Sequence, residues 1–242
     1  MDTATAIAQG EQALIMAPKL VDKIQNIMDS SFKYSSLQAI ESRFAEQMAK
    51  SQRTPSENKE LTALLSSVRD MITQSVNLIM AFKLWIRIQV PKIEDGNNFG
   101  VSVQLDIIKT LDEMMVPVVK AMDDLPSYFE KRAAAWEKLA VKVSKETKKA
   151  ASESKEVGGK DGDLSKTSES SSSEEKQIEF SSPPDAALHI VAYDLKWYVS
   201  LHRALVDARD AVFLAKDKID KNMEKLTRPK GTNTQGSSMY TF

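Results

Sequence analysis

The stretch LTALLSSVRDMITQSVNLIMAFKLWIRIQV, from Leu61 to Val90, decides the fold. Within it Leu61, Leu65, Val68, Ile72, Val76, Ile79, Phe82, Ile86 and Val90 step by three or four, which places them on one helix face. A helix of that length spans roughly 50 Å at about 1.5 Å per residue. It stops at Val90, because Pro91 disfavours helical geometry in the residue before it. On the other side Thr54-Pro55-Ser56-Glu57 interrupts the pattern, and Pro55 suits a first helical turn.

Three further blocks flank this one. Towards the N-terminus Ile7, Leu14, Val21 and Met28 recur every seven residues, followed after Ser30-Ser31 by Leu37, Ile40, Phe44 and Met48, with Pro18 expected to kink the helix. Beyond residue 101 the apolar series is Leu105, Ile108, Met115, Met122, Phe129, Trp136 and Val143, with bends expected at Pro117 and Pro126. After Pro183-Pro184-Asp185 come Val191, Tyr198, Leu205, Val212, Ile219 and Leu226, again at intervals of seven, before a stop at Pro229. Helices are therefore expected at about 4–52, 55–90, 102–156 and 184–228. With no strand-like alternation anywhere, the fold class is all-α, an elongated antiparallel up-down four-helix bundle over residues 1–231.

In such a bundle the connection between the second and third helices lies at the same end as the C-terminus. That connection, residues 91–101, reads Pro-Lys-Ile-Glu-Asp-Gly-Asn-Asn-Phe-Gly-Val. Gly96, Asn97, Asn98 and Gly100 tolerate positive φ, and Ile93 and Phe99 are apolar residues expected to pin a tight turn onto the helix ends. Glu94 and Asp95 lack the alternating carboxylates and closing Glu of a calcium loop, so an exposed acidic knuckle is expected rather than a metal site.

The opposite connection differs in kind. Residues 158–182 are dominated by Gly, Ser, Lys and Glu, a composition that cannot bury enough apolar area to offset chain entropy, and a flexible linker is expected there. Its serines followed by acids are candidates for phosphorylation, weighed against a plain solvated linker. Residues 232–242 form a Gly/Ser/Thr-containing tail with an apolar ending, Met239-Tyr240-Thr241-Phe242. An arm finishing in aromatic residues and a free carboxylate is suited to docking, with an inert frayed end as the alternative.

Composition narrows the function. Lys plus Arg total 33 against 34 Asp plus Glu, so no global field draws the chain to nucleic acid or to an anionic membrane. There are no cysteines, which removes thiolate metal sites and cysteine nucleophiles and fits a reducing compartment. The cytoplasm is expected, with the nucleus also open. The N-terminus has an acid where a signal peptide has a basic region, and no stretch reaches the roughly 18 apolar residues of a membrane span. His189 and His202 point to different helix faces with no cysteine to assist either, so no enzyme, catalytic residue or cofactor is expected.

Two segments carry a family resemblance. Residues 82–104, Phe-Lys-Leu-Trp-Ile-Arg-Ile-Gln-Val-Pro-Lys-Ile-Glu-Asp-Gly-Asn-Asn-Phe-Gly-Val-Ser-Val-Gln, resemble the end of helix two, the activation loop and the start of helix three of the 11S proteasome activators. Residues 221–231, Lys-Asn-Met-Glu-Lys-Leu-Thr-Arg-Pro-Lys-Gly, resemble the last helix of that family and its exit to a short tail, and Tyr128-Phe129-Glu130-Lys131-Arg132 is similar to its third helix. The likeness is strong over about 82–136 and 188–231 and weak over the first helix. It implies a homoheptameric ring with a central channel that docks on the α-ring of the 20S proteasome without ATP. The tails, here Met239 to Phe242, would bind between α-subunits, and the activation loop, here Glu94, Asp95, Gly96, Asn97, Asn98, Phe99 and Gly100, would displace the gating segments and open the pore to peptides. The chain lacks the long Lys/Glu-rich insertion that mammalian members carry between the first two helices, which makes a single-subunit, protozoan-type activator the nearest fit. Tyr240-Thr241-Phe242 also lacks the penultimate Tyr of the ATPase-type docking motif, so opening would depend on the loop. The rival is a non-enzymatic coiled-coil or helical-bundle adaptor, which would form dimers or trimers.

Overall fold

The computed structural model describes residues 2–51, 56–92, 98–138 and 185–230. Among them the regular structure is helical: α1 (Thr3–Ser31), α2 (Leu37–Lys50), α3 (Lys59–Gln89), α4 (Phe99–Asp124), α5 (127–138, as far as the described residues run), α6 (Asp185–Lys221) and α7 (Met223–Thr227). No helix among the described residues is long and apolar enough to cross a membrane. The chain forms two compact units, one of Met1–Ser35, Asn58–Pro126 and Lys196–Phe242, the other of Ser36–Glu57 and Ser127–Leu195.

Helix ends follow local chemistry. Asp2 caps α1 by accepting from Thr5 N at 2.7 Å, and Asn58 caps α3 by accepting from Leu61 N at 3.2 Å. The expected first helix is divided. α1 ends at Phe32, whose backbone leaves the helical region, and α2 starts afresh under a Ser36 cap that accepts from Ala39 N at 3.2 Å. Pro18 lies inside α1. The third helix is divided as well: Pro126 has no N–H to continue the ladder, and the Leu125 N–H closes on Met122 O as a tight last turn. α4 also begins earlier than residue 102, at Phe99.

In the first unit, paired contacts fix the direction of every neighbour. Gly10 meets Trp85 while Lys23 lies 3.7 Å from Asp70, so α1 and α3 run antiparallel. Lys83 pairs with Asp112 and Gln89 with Gln104, so α3 and α4 do too. Lys218 bonds Thr110 at 2.6 Å while Leu226 meets Gln104, which makes α6–α7 antiparallel to α4. The Arg209 guanidinium donates to Gln25 at 2.7 Å while the Phe32 ring sits 4.9 Å from Tyr198, closing the circuit from α6 back to α1. The unit is an up-down-up-down four-helix bundle. Its core holds Leu61, Leu65, Val68, Ile72, Ile79, Phe82 and Ile86 from α3, with Leu111 and Val118 from α4 and Leu205, Val212 and Ile219 from α6.

At one end of this bundle the aromatic side chains of Phe32, Tyr34, Tyr198 and His202 cluster, with the Tyr34 hydroxyl donating to Glu60 at 2.9 Å. Burial pushes the Tyr198 hydroxyl up to about 12, with Tyr34 and Glu60 adding to the shift. The second unit is organised around a buried carboxylate. Asp194 accepts from the Tyr128 hydroxyl at 3.0 Å and from Arg132 at 2.9 Å, while Arg132 also donates to Ser56 O at 2.6 Å and lies over the Trp136 ring. Burial, then the Asp194 charge, hold the Tyr128 hydroxyl well above the ordinary phenol range.

Candidate functional site

The sequence-derived site has two parts, and the structure describes the ends of both. Glu94, Asp95, Gly96 and Asn97 lie outside the described residues, as do Met239, Tyr240, Thr241 and Phe242. The described stems are Val90, Pro91 and Lys92 on one side of the loop, Asn98, Phe99 and Gly100 on the other, and Pro229 and Lys230 where the chain leaves α7. Ile93, expected to pin the turn, is also outside the description.

The first stem follows from Pro91. Val90 takes an extended conformation (φ −68°, ψ 118°), and its N–H closes the last turn on Arg87 O at 3.3 Å. On the second stem Asn98 ends the loop: Ser102 N bonds its carbonyl at 3.0 Å, and the Asn98 side chain makes no cap bond. Phe99 sits where the loop joins the helix. It is the first residue of α4 and 65 % exposed, with the Lys225 ammonium 5.9 Å from its ring centre.

Gly100 also serves a different purpose from the one its loop position suggested. It is helical and buried, and a Cβ placed on it would lie 2.5 Å from Pro229 Cα and 2.6 Å from the Pro229 carbonyl carbon. Its use is close approach: the backbone leaving α7 lies directly on the first turn of α4. One turn further on, Gln104 faces the same way and is wholly buried. Its amide nitrogen donates to Leu226 O at 2.8 Å and to Gln89 O at 3.1 Å. One side chain thus ties the last residue of α3, the start of α4 and the end of α7 together. The loop stems and the chain exit share one end of the first unit, as the bundle argument required.

The sequence signal of Gln104 is slight: it is a polar residue one position before Leu105, the first member of the apolar series. Among the described residues the arrangement offers no nucleophile with an adjacent base. His189 is exposed, and His202 is half-buried with its ring 5.1 Å from Phe32. What the end of the bundle can do is present two segments, one looped and one terminal, from a common base.

Comparison with known proteins points the same way. The sequence profile of the family "Proteasome activator PA28, C-terminal" matches residues 54–149. The human protein named proteasome activator complex subunit 3 is 24% identical over 178 residues, 74% of this chain and 55% of that protein. The chain therefore spans about half the length of the curated relatives it matches. Proteasome activator 28 of Dictyostelium discoideum is 40% identical over 67 residues, 26% of this chain and 30% of its own. Among solved structures, the 11S subunit of the Plasmodium falciparum proteasome, PA28, aligns with a TM-score of 0.51 at 23% identity, covering 73% of this chain and 61% of that one. The activator solved with the archaeal 20S proteasome as "mutated P26 activator" aligns with a TM-score of 0.62 at 15% identity, covering 95% of this chain and 93% of the other. At these identities the structural likeness concerns the fold, while the profile concerns the second and third helical blocks and the loop between them. The chain is thus similar to the PA28 proteasome activators in sequence over residues 54–149 and to 11S activators in fold.

Proposed function

We propose that this chain is an ATP-independent activator of the 20S proteasome. Its C-terminal tails, ending at Tyr240-Thr241-Phe242, dock in pockets between α-subunits, and residues Glu94 to Gly100 displace the gating segments to open the entrance pore to peptides. The observation that carries this reading is the shared base of the two segments: Gly100 against Pro229, and Gln104 bonded to both Gln89 and Leu226. A docking tail and an acting loop must arrive at the same surface, and these contacts put their roots side by side.

The division of labour has a physical reason. One short tail buries little area and binds weakly, but the tethered tails of a homoheptamer act together through effective concentration. A loop that pushes must be stiff, and Pro91 with the buried Gly100 stem gives it fixed ends. Ring assembly is supported by large apolar side chains left exposed on the first unit, among them Ile15 and Met16 of α1, Met80 of α3, Val116 of α4 and Phe213 of α6. Such a protein would act in the cytoplasm, with the nucleus as an alternative.

The test is hydrolysis of a short fluorogenic peptide by latent 20S proteasome, without ATP, by the intact chain, a version lacking Tyr240 to Phe242, and Asn97→Tyr. Stimulation lost on removing the tail, together with an Asn97→Tyr variant that docks but does not stimulate, is the expected result. No stimulation by an assembled intact chain, across several proteasome sources, would transfer the reading to a helical adaptor.

A further inference from the structure

We infer that Gln104 is a positioning residue that couples the loop stem to the seat of the chain exit, so that presentation of the loop by a docked tail, and not docking itself, depends on one buried amide. The inference rests on the activator reading above.

Gln104 makes a fork. Both hydrogens of its amide nitrogen are used, one on the Leu226 carbonyl at 2.8 Å and one on the Gln89 carbonyl at 3.1 Å. Both carbonyls lie in the last turn of a helix, where no intrahelical N–H reaches them. An ammonium or a hydroxyl lacks the planar two-donor geometry, and a carboxylate would set its oxygens against two carbonyl oxygens. The nitrogen is thereby fixed as the atom facing both helix ends.

The same side chain carries a cost that packing alone does not explain. Its Oε1 is buried with no hydrogen-bond partner, whereas a Met or Leu would fill a similar volume with no stranded acceptor. A polar group kept where an apolar one would pack more cheaply is a local conflict of the kind expected at functional positions. Position matters too. Gly100 and Gln104 sit one turn apart on α4 and hold Pro229 and Leu226 respectively, so α7 and the exit are registered against the start of α4 at two successive points. Gln89, on the other arm of the fork, is the residue before Val90 and Pro91, where the loop begins. A displacement of α7 when the tail is captured therefore reaches the loop stem through a single amide.

The experiment compares the full-length chain with Gln104→Met and Gln104→Asn, the second keeping the amide but shortening its reach by one methylene. Activator concentration is titrated against 20S peptidase activity, ring size is measured by sedimentation, and amide hydrogen exchange is followed on the free activators. The expected outcome is an intact ring and a half-maximal concentration close to that of the unaltered chain, with a plateau stimulation lower by about fivefold or more. Exchange should rise together over residues 86–90 and 223–228 and stay unchanged at the Tyr34–Glu60 end. A merely structural role would lose rings and raise the half-maximal concentration in step with the plateau, and that result overturns the inference. So does an unaltered plateau in both variants, or exchange that rises at only one of the two helix ends. If the unaltered chain itself fails to stimulate, the activator reading falls, and exchange alone decides: paired loosening retains the coupling, independent loosening removes it.

Discussion

Replacing Gly100 with Ala should reverse the usual sign of such a change. A glycine inside a helix costs about 1 kcal/mol relative to alanine, so an unconstrained Gly→Ala change stabilises. Here the new methyl would fall 2.5 Å from Pro229 Cα and 2.6 Å from its carbonyl carbon, and these are backbone atoms that no rotamer change can move aside. The exit segment must shift bodily, and overpacking of this kind costs about 1–3 kcal/mol. Set against the propensity gain, the net is a destabilisation of about 1 kcal/mol, or about 2–4 °C in the unfolding midpoint of a chain this size. Thermal unfolding followed by far-ultraviolet circular dichroism reads this directly, with variant and parent at one protein concentration because assembly makes the midpoint concentration-dependent. A midpoint that rises by about 2–4 °C would show the propensity gain unopposed, and would mean that the exit is not seated on α4.

Other sites test the second unit, the caps and the pH response. Arg132→Met should cost about 3–5 kcal/mol, because it removes the cationic partner of the buried Asp194 carboxylate, and the double variant with Asp194→Leu should recover part of that loss; equal losses in the two would refute the charge argument. Asn58→Ala removes a buried N-cap and should lower stability by about 0.5–2 kcal/mol in urea titration, against little change if the cap bond is immaterial. Tyr198 is held neutral to about 12 in the folded chain, whereas its unfolded phenol titrates near 10, so the unfolded state loses its proton first and stability falls as pH rises between those values. Below that window both states are protonated and Tyr198 has no effect; Tyr198→Phe should flatten part of the alkaline fall and leave the neutral region unchanged, as measured by denaturant midpoints from pH 8 to 12.

The sequence pattern served unevenly along the chain. In α6–α7 all of Val191, Tyr198, Leu205, Val212, Ile219 and Leu226 are buried, because a large apolar residue occupies each seam position. In α3 the stripe from Leu61 to Ile86 is buried as expected, but Leu64, Met71, Ser75, Leu78 and Trp85 are buried too: this helix packs on both α1 and α4, and one stripe cannot describe a two-sided helix. α1 misled by its small residues. Ala6, Gly10, Ala13 and Ala17 form the seam that lets Trp85 approach, leaving Ile7, Leu14 and Val21 only half-buried beside it. In α4 Ile108 is buried as the series required, with Ile107 beside it, but Gln104, Leu111 and Val118, continuing to Leu125, are buried off the series, while Leu105 stays 55 % exposed and Met115 and Met122 half-buried; the series starts one position late because the first member of the buried seam is polar. That same offset concealed Gln104. The use of Gly100 depends on what lies across from it, which no local pattern encodes.

The pairing of Gly10 with Trp85 has a practical side for anyone labelling this protein. From Gly10 back to Thr3 the helix rises about 10 Å, while from Trp85 on to Gln89 it rises only about 6 Å, so α1 starts beyond the level where α3 stops. A purification tag or fluorescent fusion placed ahead of Asp2 would thus emerge beside the loop stems and shade the face proposed above to meet the proteasome. Lys59 offers a cleaner attachment point. It is exposed, it opens α3 at the far end of the first unit, and in a chain without cysteine a single Lys59→Cys change creates a unique handle for dye or surface chemistry.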